Sequence, residues 1–288
     1  MTFEEKLKTK KFIVTAELFP PKGINIEAFL NKADILSKVV DAINVTDNQR
    51  ASMRVGSMAM CRLLQEKGIE TILQMTCRDR NRIALQSDLL SASVLGLNNV
   101  LILSGDHPNV GEYIGTKTVY DLDTIQLIKV ARLLETGIDF AGKKLNGSPK
   151  FCLGAVVNPT ATPNDLQIMM LEKKIESGID FVQTQTVFDV EQYKEFFEKT
   201  KNLNVRILPG VSVIKSVAFM GFLKKLPGVH IPVEIEERIL SAKDPFAEGL
   251  NICAETIKKL KNFTSGVHIM AIGIEEYIPE ILKKSELI

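Results

Sequence analysis

The chain has 288 residues, 45% of them hydrophobic, with 36 Lys+Arg against 35 Asp+Glu, four Cys and no Trp. That length supports a sizeable core, a formal charge of +1 gives no reason to expect a nucleic-acid partner, and no apolar run approaches the roughly 18 to 20 residues of a membrane span. The N-terminus, MTFEEKLKTKKF, is charged without an apolar signal core, so the expectation is a soluble cytoplasmic protein.

Short β-branched runs alternate with longer helix-period segments from end to end. The first run, Phe12 to Phe19, leads into Pro20-Pro21; Ala42 to Asp47 is the second, and a helical pattern covers Met58 to Lys67. Thr71 to Cys77 and Val100 to Asp106 follow, then a helix over Leu122 to Glu135. A polar excursion over 137–150 precedes Phe151 to Asn158, a helix over Leu166 to Ser177 and the strand Phe181 to Phe188. Arg206 to Val213 is next, extra helix occupies 227–264 with its core at Phe246 to Leu260, and Val267 to Gly273 closes the series. Gly68, Gly96, Gly137 and Gly178 punctuate helix ends, where a left-handed cap is most easily adopted.

Strands alternating with helices imply a parallel sheet, and eight such units in under 300 residues fit a (β/α)8 TIM barrel, one domain over 1–288. The rival, an open doubly wound sheet, calls for a Gly-rich first turn. Here that turn reads FPPKG, and no GxGxxG follows any strand. Function should then sit at the C-terminal strand ends, which read Ala16-Glu17-Leu18, Thr46-Asp47-Asn48, Gln74 to Cys77, Ser104-Gly105-Asp106, Asn158 and Gln183 to Thr186. These describe a polar mouth over a dry barrel, a setting for a small molecule.

Glu17 is the sharpest candidate. It lies in the apolar run VTAELF, and a desolvated carboxyl there suits general acid work; its bland reading is a rim pair with Lys22, Arg50 or Arg78. Asp106, in LILSGDHP, is either functional or a loop-closing cap on backbone N–H groups, two readings of about equal weight. His107 beside it is read as the one histidine near a strand end, with no other ligand type nearby to make a metal site. Gln183 and Gln185 should share one strand face, offered either to a heterocycle or to an internal amide network. The cysteines, Cys61, Cys77, Cys152 and Cys253, are scattered, so an iron–sulfur cluster or structural zinc would have to come from a partner chain.

These strand ends, taken in order, resemble the flavin-dependent 5,10-methylenetetrahydrofolate reductases. The matching segments are AELFPPKG, VTDNQRASMR, QMTCRDRNRIALQSDLL, LGLNNVLILSGDHP, CLGAVVNPT, KKIESGIDFVQTQTVFD and LPGV. The resemblance implies a flavin at the barrel mouth, hydride transfer to methylenetetrahydrofolate to give 5-methyltetrahydrofolate, and Glu17 as the acid that opens the methylene bridge. It places Asp106 near flavin and pterin, Gln185 on folate and nicotinamide, and Thr46, Thr76, Gly105, Tyr120, Lys173 and Lys174 around the flavin and its phosphates. Gln74, Ser104, Asn158 and Gln167 stand on flavin-contacting positions where the family often has His, Arg, a Tyr-Pro-Glu run and Asp. Most of these departures fall at the pyrophosphate and adenosine end, which makes FMN the alternative to FAD. The resemblance further implies NAD(P)H or a partner redox subunit as electron donor, a homo-oligomer, and in some short members a second metal-containing subunit. A proline-dehydrogenase-like flavin barrel and a flavin- or folate-binding subunit of a larger redox complex are the alternatives.

Overall fold

A computed structural model describes all residues, Met1–Ile288. Eight strands close into one parallel barrel in chain order: β1 (Ile13–Leu18), β2 (Ala42–Val45), β3 (Thr71–Thr76), β4 (Asn99–Leu103), β5 (Cys152–Val157), β6 (Phe181–Thr186), β7 (Arg206–Ser212) and β8 (Gly266–Met270). The eight runs expected from the sequence are these strands, each expected run reaching one to three residues past an observed end. The overshoot falls mainly at the C-terminal ends, where the polar residues leave the ladder to form the rim.

The helices return the chain outside the barrel: α2 (Glu27–Leu36), α3 (Ser57–Glu66), α4 (Arg82–Val94), α5 (Thr124–Glu135), α6 (Asn164–Glu176), α7 (Val190–Thr200), α8 (Val217–Leu223), α9 (Val233–Ser241), α10 (Pro245–Leu260) and α11 (Ile278–Lys284). Gly68, Gly96, Gly137 and Gly178 follow α3 to α6 with φ between 76° and 102°, the left-handed caps that the sequence pattern calls for. The extra helix before β8 resolves into α9 and α10, parted where Asp244 caps Phe246 and Ala247 ahead of Pro245 at the first turn.

Ahead of the first strand lies α1 (Phe3–Thr9), a helix that the alternating pattern does not announce. Thr2 and Glu5 form a capping box, and Phe3 and Leu7, one helical turn apart, turn into the barrel floor. Phe3 meets Phe181 edge-on with ring centroids 5.1 Å apart, and both belong to an apolar plug with Ile13, Ala42, Ile72, Leu101, Cys152 and Leu208. The N-terminal end of the barrel is therefore sealed, and the C-terminal rim is the open end.

All four thiols are buried and free, and burial pushes Cys61, Cys77 and Cys253 up to about 12. At pH 8 a thiol of that pKa is about one part in ten thousand thiolate, and the thiolate is the reactive form. A colorimetric disulfide reagent should accordingly titrate close to no thiol in the native protein and four after denaturation; fast native labelling would show that the segments carrying these thiols open readily.

Candidate active site

Parallel strands in a closed barrel deliver every C-terminal end to the same rim, so Glu17, Thr46, Gln74, Thr76, Ser104 to Asp106, Asn158 and Gln185 surround one opening. Glu17, on β1, keeps 17% of its side chain exposed. Its Oε1 accepts a hydrogen bond from Gln74 Nε2 at 2.9 Å. None of the three rim cations considered from sequence is its partner: Lys22 pairs with Glu112, Arg78 with Asp79, and Arg50 offers its backbone N–H to Asp106. The group facing Glu17 instead is His268 of β8, whose Nε2 lies 3.6 Å from Oε1. His107, singled out in the sequence, lies exposed outside the barrel and accepts at Nδ1 from the Asn109 N–H. His268 was hidden because it occupies the middle of a strand, GVHIM, rather than an end; a single polar residue in an otherwise apolar strand was the available signal.

Beneath the mouth, the lumen is not dry. Thr15, Asn44, Gln183 and His268, all at most 2% exposed, form a polar layer above the apolar plug. Asn44 and Gln183 bond reciprocally, Nδ2 to Oε1 at 2.8 Å and Nε2 to Oδ1 at 3.1 Å. Gln183 Nε2 also reaches Thr15 Oγ1 at 3.1 Å, and Thr15 Oγ1 lies 2.9 Å from His268 Nδ1. Strands β2 and β6 are not neighbours, so these bonds cross the lumen. A buried amide is tolerated only when its groups are paired, and here two amides satisfy each other. Gln183 is thus part of the internal network. Gln185 is displaced from its row by a bulge: Gln183 pairs with Leu208 and Thr186 with Gly210, so that Thr184 and Gln185 of β6 stand against Pro209 alone on β7. Gln185 Oε1 accepts from the Thr186 N–H at 2.9 Å, and its amide nitrogen bonds no other protein group.

The rim on the β2–β4 side is clamped. Arg78, 2% exposed, donates to Asp79 and to the carbonyls of Asn48 and Asp106, joining three loops. Burial pulls its guanidinium down, yet the bond and charge of Asp79, with Asp47 and Asp106 behind, hold it above the ordinary value. Asp106, exposed at the rim, accepts from the Arg50 N–H at 2.8 Å, in a loop where Asn48, Arg50 and Ala51 all have φ between 45° and 56°. The loop-closing reading of Asp106 therefore has its partner, with one carboxylate oxygen left over. Backbone strain of this kind, at three non-glycine residues of one loop beside a functional candidate, collects at functional sites. Gly105 lies between: its φ is +90°, and a Cβ there would stand 3.0 Å from Arg78 and 3.1 Å from Thr76. Tyr120 covers it, Oη to the Gly105 carbonyl at 3.1 Å.

The remaining candidates divide by what they already hold. Thr46 donates to Gln49 and Thr76 to Asp47, and both hydroxyls are buried. Asn158 ties the end of β5 to the Pro227 carbonyl. Ser104 is exposed at the rim, and Gln167 in α6 makes no side-chain hydrogen bond. Lys174 donates to the Val156 carbonyl at 2.7 Å, burial lowers its pKa, and neither it nor Lys173 has an ion-pair partner. No group of three His, Cys, Asp or Glu side chains is placed to hold a metal ion, and no helix is long and apolar enough to cross a membrane.

The family model of methylenetetrahydrofolate reductase matches residues 2–286. A Caenorhabditis elegans protein described as "Probable methylenetetrahydrofolate reductase (NADPH)" is 27% identical over 97% of this chain, and the chain spans 43% of that protein. The chain thus covers about half the length of the first relatives it matches. The Salmonella typhimurium 5,10-methylenetetrahydrofolate reductase is 26% identical over 95% of this chain and 87% of its own. Among solved structures, an uncharacterized protein from Clostridium thermocellum, described as binding two copies of 5-methyl-5,6,7,8-tetrahydrofolic acid, superposes with a TM-score of 0.69 at 18% identity, covering 99% of this chain and 98% of that one. At that identity the likeness establishes the barrel alone.

Proposed function

The chain belongs to the methylenetetrahydrofolate reductase family, and from that premise we propose that it reduces 5,10-methylenetetrahydrofolate to 5-methyltetrahydrofolate with Glu17 as the general acid. The observation that carries this reading is Glu17 itself: a half-sheltered carboxyl at the open end of the barrel, held on one oxygen by Gln74 and paired with no cation. A carboxyl so held can keep a proton on its other oxygen and hand it to the folate amine nitrogen, which breaks the methylene bridge and leaves an iminium ready to accept hydride.

The residues present suit a flavin at the mouth. Lys174 is a partly buried cation bonded only to a carbonyl, which an anionic phosphate would compensate, and Lys173 lies beside it. Gly105 presents bare backbone at the rim, with a φ of +90° and room on its own side only for a hydrogen between Arg78 and Thr76. Bound there, flavin (FAD in this proposal) supplies the hydride, with electrons drawn from NAD(P)H. The chain's own part is to orient and protonate. Asp106 keeps a free carboxylate oxygen for the amino groups of the pterin, and the unpaired Gln185 amide can bond the folate ring. The fold neighbour described as binding 5-methyl-5,6,7,8-tetrahydrofolic acid is consistent with a folate ligand for this fold.

An anaerobic visible spectrum of the flavin-reconstituted protein tests the reading. Oxidised flavin absorbance should bleach on addition of 5-methyltetrahydrofolate, because the reaction run backwards reduces the flavin. Absorbance that stays constant, or a chain that takes up no flavin, would overturn it.

A further inference from the structure

We propose that His268 is a positioning residue for Glu17, and that with Gln74 it decides which carboxyl oxygen carries the catalytic proton; the inference rests on the general-acid reading above. Gln183 Nε2 has two hydrogens, and both are used, one on Asn44 Oδ1 and one on Thr15 Oγ1. Thr15 therefore accepts from Gln183 and has a single hydrogen left, whose partner is His268 Nδ1 at 2.9 Å. With Nδ1 accepting, the neutral imidazole carries its proton on Nε2, the nitrogen that faces Glu17 Oε1 across 3.6 Å.

At 3.6 Å the contact is too long for a hydrogen bond, and a small closure on substrate binding brings it into range. Gln74 Nε2 and His268 Nε2 both address Oε1 and neither addresses Oε2. Oε1 is thereby held as the accepting, carbonyl-type oxygen, and the hydroxyl proton of the protonated acid belongs on Oε2. A network running through β2, β6, β1 and β8 thus presents one acidic hydrogen to the mouth in one orientation. The registers fix its parts: Thr15 pairs with His268 and Glu17 with Asn44, so no side chain can slide along its strand.

Two substitutions separate the ends of the imidazole. His268→Asn keeps an acceptor near Nδ1 for Thr15 and removes the donor toward Glu17; His268→Gln keeps a donor near Nε2. The expected result is a roughly tenfold or larger fall in kcat for folate reduction in His268→Asn, of the kind that misorientation produces, with KM for folate and flavin reduction by NADH unchanged. His268→Gln should recover most of that kcat. The chain has three histidines, so 15N NMR of the ring nitrogens in the flavin-free protein reads the tautomer directly, and the buried one should be protonated at Nε2. A proton on Nδ1, or equal kcat loss in both variants, or wild-type kcat in His268→Asn, would overturn the proposal. Wild-type protein that fails to turn over folate would count against the functional reading instead, and the NMR result would still decide the tautomer.

Discussion

Glu17→Gln should cost about 10²- to 10⁴-fold in folate turnover, the usual range for losing a general acid. It should leave flavin uptake and flavin reduction by NADH as they are. The amide is nearly isosteric with the carboxyl, its oxygen can still accept from Gln74 Nε2, and the buried Thr15–Gln183–Asn44 layer below is untouched. What disappears is the one hydrogen that can be released to the folate nitrogen. Stopped-flow absorbance separates the two half-reactions in a single protein: reduction by NADH should match the wild type, and reoxidation by methylenetetrahydrofolate should stall. Reoxidation at the wild-type rate would remove Glu17 from the mechanism and require a different proton donor to the folate nitrogen.

The difference between what could and could not be read in the sequence follows sequence distance. Strands, helix stops and the eight-fold repeat of βα units are written locally, in β-branched runs and in glycines at helix ends, and each appears within a few residues of its expected place. Helix α1 is equally local, since Thr2 and Glu5 spell a capping box, but with five charges in its first ten residues its apolar pair Phe3 and Leu7 makes only a short stripe. Glu17 was identified from an apolar context of six residues. Its partners were not, because Gln74 is 57 residues away and His268 lies on the strand that closes the barrel. Arg78 shows the same effect in reverse: its sequence context suits a rim cation for Glu17, and it is a buried staple across the loops after β2, β3 and β4. Only closure brings these groups together, and no periodicity records closure.

Asp47 is the strand-end carboxylate whose removal should cost most in stability. Polar strand ends describe a functional mouth, but the Asp47 side chain is 1% exposed and fully committed. It accepts from the Thr76 N–H and hydroxyl, both at 2.9 Å, and from Arg80 Nη1 at 2.7 Å, while Arg80 Nε turns to Asp88 at 2.8 Å. Asp47→Ala would strand a buried N–H and leave a largely sheltered guanidinium with one partner, a loss of about 3 to 5 kcal/mol for a broken buried pair. In a chain of this size each kcal/mol lowers the midpoint by about 2 to 4 °C, so scanning calorimetry should show Tm falling by roughly 6 to 20 °C. Asp47→Asn keeps acceptors for Thr76 and loses only the charge facing Arg80, so its fall should be smaller, and Glu17→Gln should barely move Tm. The two carboxylates thus separate by what their loss disturbs: turnover without stability at Glu17, stability first at Asp47. An Asp47→Ala protein that melts like the wild type yet no longer reduces folate would place Asp47 in the chemistry and overturn this division.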